Sequence, residues 1–180
     1  MHSTLYVLVY PSRLFAAHWS FWLPYKDGKR ESNVGDRIHV TGDRLNGFEY
    51  EYIRGYNKNE DDRHPNAYPI GLVSDVPLKN EDFDSMKTAA DEPNLETHIH
   101  NAFDKACREV SAPGPSLNRV NGARDNKSGA PPPPRTQVKD CQWWLQEAAL
   151  KLVQSGILLP LNHGDEMNGP IARISSLPRH

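Results

Sequence analysis

Residues 15–23 read FAAHWSFWL. In an extended chain, period-two alternation puts Ala17, Trp19, Phe21 and Leu23 on one face and His18, Ser20 and Trp22 on the other. Leu5 to Tyr10 (LYVLVY) is a continuous apolar run of strand length stopped by Pro11 and Ser12, which predicts a buried central strand. Arg37 to Thr41 (RIHVT) puts Ile38 and Val40 on one face and Arg37, His39 and Thr41 on the other. If 15–23 and 37–41 pair antiparallel, His18 and His39 fall on one face of the same sheet.

Farther out, Asp27-Gly28 and the polar run to Gly35 predict a long hairpin loop. Gly42-Asp43 and Asn46-Gly47 mark the next turn, and Phe48 to Ile53 (FEYEYI) alternates as a half-exposed strand should. Tyr68 to Val73 (YPIGLV) reads as a last strand, edge-like because Pro69 has no N–H to give a ladder. Helical signals follow. Asn80 caps a short helix through Ala90, and Asn94 caps a better one through Val110, with Leu95, Ile99, Ala102, Phe103 and Ala106 as its apolar face. Residues 111–139 carry Pro113, Pro115 and four consecutive prolines at 131–134 and read as a flexible insertion, partly polyproline II. The stretch Asp140-Cys141-Gln142-Trp143-Trp144 then opens a helix, Gln142 to Gln154, with Cys141, Leu145, Ala148, Ala149 and Leu152 on one stripe. Gly156 ends it, 157–161 is a short apolar exit, and 162–180 is a tail with little periodicity. The expectation is an α+β fold, an antiparallel sheet of four to five strands packed against two to three helices, forming one domain over residues 1–161.

The chain has 180 residues and a formal net charge of −2, with an isoelectric point near 6.4 and mean hydropathy of −0.71. That length suits one domain with a real core. The near-neutral balance, with no basic stripe, argues against nucleic acid as a partner. Two cysteines, Cys107 and Cys141, do not make a disulfide framework, which suits a reducing compartment or a free functional thiol. The first residues carry no secretory pattern, and no apolar run approaches the ~20 residues of a membrane span. A soluble cytoplasmic protein is the expectation, with no cofactor and no metal. Oligomeric state is not legible.

Cys141 stands where a loop becomes a helix, and a thiol there feels unpaired backbone N–H groups and the positive end of the macrodipole, both favouring thiolate. A nucleophile needs a base, and the base an orienting group. His18 and His39 are the candidates. The bland alternative is an inert buried cysteine and two hydrogen-bonded histidines in an aromatic sheet. Taken together, the trio matches nucleophile, base and orienter.

The order HWSFWLP, then IHVTGD, then DCQWW at a late helix resembles the circularly permuted papain-like fold of the NlpC superfamily, especially its lecithin:retinol acyltransferase-like thiol hydrolases. In general texture the chain is also similar to small fungal proteins of this permuted type. The resemblance covers roughly residues 5–55 and the Cys141 helix. It implies Cys141 as nucleophile, His18 as general base and His39 as the third polar group. Asp140, Gln142, Trp143 and Trp144 depart from the family's usual Asn, Glu, His and Phe neighbours, and the segment before the cysteine is long. The reaction expected is acyl transfer or hydrolysis of an ester, amide or thioester in a small-molecule or peptide substrate, with Trp19, Trp22, Gln142 and Tyr10 as substrate-binding candidates.

Three other readings stand beside it. His18 and His39 could do acid–base chemistry on a natural product in a biosynthetic tailoring enzyme, with or without covalent turnover at Cys141. The four tryptophans could line a pocket in a catalytically silent binding module. His100, Asp104 and Cys107, spaced four and three residues apart, could hold a metal, although no recognised zinc signature is present.

Overall fold

Alternation in the first half of the chain builds an open antiparallel sheet. The computed structural model describes residues 2–13, 15–27, 30–74, 101–115, 139–162, 164 and 168–180. Its elements in chain order are β1 (His2–Tyr10), β2 (His18–Asp27), β3 (Arg30–Asp43), β4 (Gly47–Asn57), β5 (Asn66–Ser74), α1 (Ala102–Arg108), α2 (Cys141–Gln154), β6 (Leu158–Leu159) and α3 (Pro170–Ser175). The six strands lie in the order β4-β3-β2-β1-β5-β6, so LYVLVY is central, as its apolar run predicts. The α+β class holds, with six strands where four to five were expected.

One face carries the main core. Leu5, Val7, Val9, Trp19, Phe21, Leu23, Ile38 and Val40 pack there against Phe103, Trp144, Leu145, Ala148 and Leu152 from the helices. The opposite face holds a smaller cluster of Leu8, Tyr10 and Trp22, with Tyr6, Tyr56 and Ala67 packed on it. Helix α2 lies across β2 and β3. Asp140 caps it, its Oδ1 accepting from the N–H groups of Gln142 at 3.0 Å and Trp143 at 3.1 Å.

Three expectations need correcting. The polar run 28–35 is not a long loop throughout: β3 begins at Arg30, and Lys26↔Glu31 and Asp27↔Arg30 continue the ladder. A two-stranded ribbon needs only backbone hydrogen bonds, so its side chains can stay polar and exposed. Gly35 permits a close crossing there, because a Cβ at that position would collide with the Leu23 carbonyl. The strand with Pro69 is not an edge either. β6 covers β5, but only at Leu72↔Leu159 and Val73↔Leu158, which leaves Pro69 beyond the covered stretch. Lastly, 162–180 is more than an irregular tail. It contains α3, with Ile174 and Leu177 buried in the main core.

Asn101 rather than Asn94 caps the described helix α1, its side chain accepting from the Asp104 N–H. The expected helix from Asn80, the start of that from Asn94, His100 and most of the Pro-rich insertion lie outside the described residues. The insertion's described end runs along the β4 edge, where Phe48 N–H donates to Pro113 O at 2.8 Å. That contact covers part of an edge strand.

Candidate active site

The β2–β3 ladder begins at Phe21↔Ile38, short of the first residues of β2. His18 opens β2 at that end, and its ring lies 5.5 Å from Tyr10, on the face away from the main core. His39, on β3, meets it with the rings edge to face at 78°, and His18 Nε2 lies 2.9 Å from His39 Nδ1. The pairing His39↔Glu51 then sets a carboxylate on the far side, with Glu51 Oε2 2.6 Å from His39 Nε2.

That order assigns every proton. Glu51 is half exposed, and its Oε2 is the acceptor for His39 Nε2–H. His39 Nδ1 is then an acceptor and takes the proton of His18 Nε2–H. The lone pair of the chain is left on His18 Nδ1. Burial, then Arg37 and Arg63, lower His18 to about 4. Burial, then Arg37, His18 and Arg63, hold His39 at about 2, against a smaller opposing pull from the Val40 backbone. Both rings are therefore neutral at pH 7, the state a general base requires.

Cys141 is the first residue of α2 and is 9 % exposed, seated in the main core cluster. The backbone N–H groups of Trp19, Gln142 and Cys141 favour its thiolate, so the nucleophile candidate stands close to the start of β2, where Trp19 follows His18. The expected thiolate is not the resting form. Burial pushes the thiol up to about 11, beyond what the N–H groups of Trp19, Gln142 and Cys141 recover, and Asp140 adds to the rise. Among the described hydrogen bonds none joins the sulfur to an imidazole. The histidine chain and the sulfur flank β2 from opposite faces.

Residues 5–159 match one known family. The chain belongs to the family of unknown function DUF6540. No curated protein and no solved structure matches it. In this DUF6540 protein the matched span contains His18, His39, Glu51 and Cys141 and ends before α3.

The other expected residues divide by face. Trp19 is fully buried, and its Nε1 donates to Pro178 O at 3.0 Å, so it serves the core and the tail. Gln142 is also buried. Its Nε2 donates to Ala17 O at 2.8 Å and Arg179 O at 3.2 Å, which ties the start of α2 to the tail. Ala17 N–H donates to Arg179 O at 2.9 Å as well. Tyr10 and Trp22 stand on the histidine face. Cys107 is wholly buried, and Asp104 accepts from Tyr50 and Arg108. Among the described residues no three ligand-type side chains converge on a metal position, and no helix is long and apolar enough to cross a membrane. Glu51 is the residue that reading the sequence overlooked. Its signal was present, because FEYEYI alternates Glu49 and Glu51 opposite the RIHVT strand.

Proposed function

We propose that this protein catalyses thiol-dependent acyl transfer or hydrolysis, with Cys141 as nucleophile and a His18–His39–Glu51 chain as its base, on a permuted papain-like scaffold. The observation that carries this is the seat of the Cys141 sulfur close to the Trp19 N–H at the start of β2, with His18, whose Nδ1 is left with a lone pair, one residue earlier in the same strand. The thiol is protonated at rest, so the attack is general-base assisted. Sγ bonds to the substrate carbonyl carbon while its proton passes to His18 Nδ1. Protonated His18 then returns that proton to the leaving group as the carbonyl re-forms. Water or another acceptor, deprotonated by the same nitrogen, releases the acyl group from sulfur. In the first turn of α2, Gln142 and Trp143 N–H are held by Asp140 Oδ1 and Trp144 N–H by Asp140 O, which leaves the Cys141 N–H as the donor this reading assigns to the oxyanion. A panel of simple thioesters and esters tests the reading. Turnover should be lost in Cys141→Ser and fall at least a hundredfold in His18→Gln.

A second reading is favoured by the packing of the sulfur in the core. The histidine chain is complete without it, so His18 would act as a base on a small molecule bound at the outer face of the sheet. Turnover that survives Cys141→Ser and fails in His18→Gln would select this reading.

A further inference from the structure

Trp22 and Arg37 face each other directly across the β2–β3 ladder, on the same side of the sheet as His18 and His39. Trp22 is 3 % exposed and Arg37 5 % exposed. Each carries a buried donor with no acceptor, Trp22 Nε1 and Arg37 Nη2. The Arg37 side chain's one hydrogen bond is from Nε to Ser20 Oγ at 3.3 Å, and its guanidinium otherwise lies over the rings of Tyr10 at 4.9 Å and Tyr56 at 5.1 Å.

Buried polar groups in folded proteins nearly always have a partner, and a buried cation still more so. Two orphans on cross-strand partners, both donors and one of them charged, call for an acceptor carrying negative charge. The carboxylates near this face do not supply it. Glu51 accepts from His39, Asp61 from Arg63 and Tyr56, and Glu31 from Tyr6. Two further cations stand at the rim, Lys58 Nζ 5.1 Å over the Trp22 ring and Arg63 4.4 Å over the Tyr10 ring. Arg63 is half exposed, with its guanidinium held on Asp61.

We propose that Trp22 Nε1 and the Arg37 guanidinium bind an oxyanion, carboxylate or phosphate, borne by the substrate on which His18 acts. The site rests on the reading of His18 as the base, and it narrows the substrate to compounds with an acidic group near the reacting bond. It also gives Trp22 and Tyr10 their part in binding, as donor and as floor for the guanidinium.

Inorganic phosphate and acetate, titrated separately into the full chain at pH 7 and low chloride, test this by the indole N–H resonances. The Trp22 resonance should move downfield and saturate in the millimolar range with at least one of the two anions, and whichever binds tighter identifies the group. Arg37→Met should abolish the saturable shift. Lys58→Gln, which leaves the buried pair intact, should weaken it two- to fivefold. A wild-type Trp22 resonance that ignores both anions overturns the site, as does an unchanged affinity in Arg37→Met. If Arg37→Met does not fold, the Lys58→Gln affinity and the wild-type titration decide. In His18→Gln, anion binding retained with turnover lost is the expected result. Anion binding with no turnover in any form defeats the catalytic reading and leaves the site standing.

Discussion

Glu51 Oε2 lies 2.6 Å from His39 Nε2 and fixes, through His39, which nitrogen of His18 is basic. Glu51→Gln removes the charge that selects this tautomer and keeps the shape. We expect turnover to fall about ten- to a thousandfold, in the span known for orienting groups of catalytic bases. The half-exposed side chain should leave the melting temperature within a few degrees of wild type, and steady-state kinetics with thermal melts check both.

The depressed histidines set a pH dependence. His18 binds its proton near 4 when folded and near 6.5 when unfolded, so the unfolded chain binds more protons between those values. Stability from this residue is fully present above pH 6.5 and is lost as pH falls toward 4, by an amount on the order of 3 kcal/mol. His39 shifts in the same direction and extends the loss to lower pH. Urea midpoints measured from pH 8 to pH 4 should fall steadily below 6.5. In His18→Gln that fall should be shallower.

Thiol chemistry should follow burial. Because the Cys141 thiol is pushed up to about 11, alkylation by iodoacetamide should be slow at pH 7 and rise steeply toward pH 10. Cys107, wholly buried and with its thiol also pushed well up by burial, should label after Cys141 and only as the protein opens. Peptide mapping of a labelling time course separates the two. Faster labelling at Cys107 would count against Cys141 being the less buried of the two thiols.

The tail is held through a small number of polar contacts. Gln142→Ala removes two hydrogen bonds that join the start of α2 to Ala17 O and Arg179 O, and it takes that partner from the carbonyl of the buried Ala17, while Arg179 O keeps the Ala17 N–H. The expected cost is roughly 1–3 kcal/mol. Hydrogen exchange should show the Ala17 N–H, whose acceptor is Arg179 O, losing protection before the central strand β1 does.

Side-chain alternation made the sheet legible, because a strand with one face in the core must place apolar residues at every second position. The same alternation puts His18 and His39 on one face, where their rings meet. It failed at 30–35, where an exposed ribbon is held by backbone bonds that leave no mark on side-chain polarity. Glu51 escaped notice because a carboxylate on a half-exposed strand looks like ordinary surface until its cross-strand neighbour is known. The protonation of Cys141 was misread for a related reason. A helix start is visible in sequence, but the depth to which it is buried is a tertiary property, and desolvation outweighed the helix start. The return of 178–179 to Ala17 and Trp19 depends on contacts about 160 residues apart, which no local pattern encodes.

Capture of the covalent intermediate tests the central claim most directly. The full chain is mixed with a p-nitrophenyl ester, quenched in acid and weighed by intact mass spectrometry. One acyl group should appear on Cys141, be absent in Cys141→Ala, and form at least a hundredfold more slowly in His18→Gln. An unmodified Cys141 beside undiminished turnover, or acylation at the same rate without His18, would contradict the account.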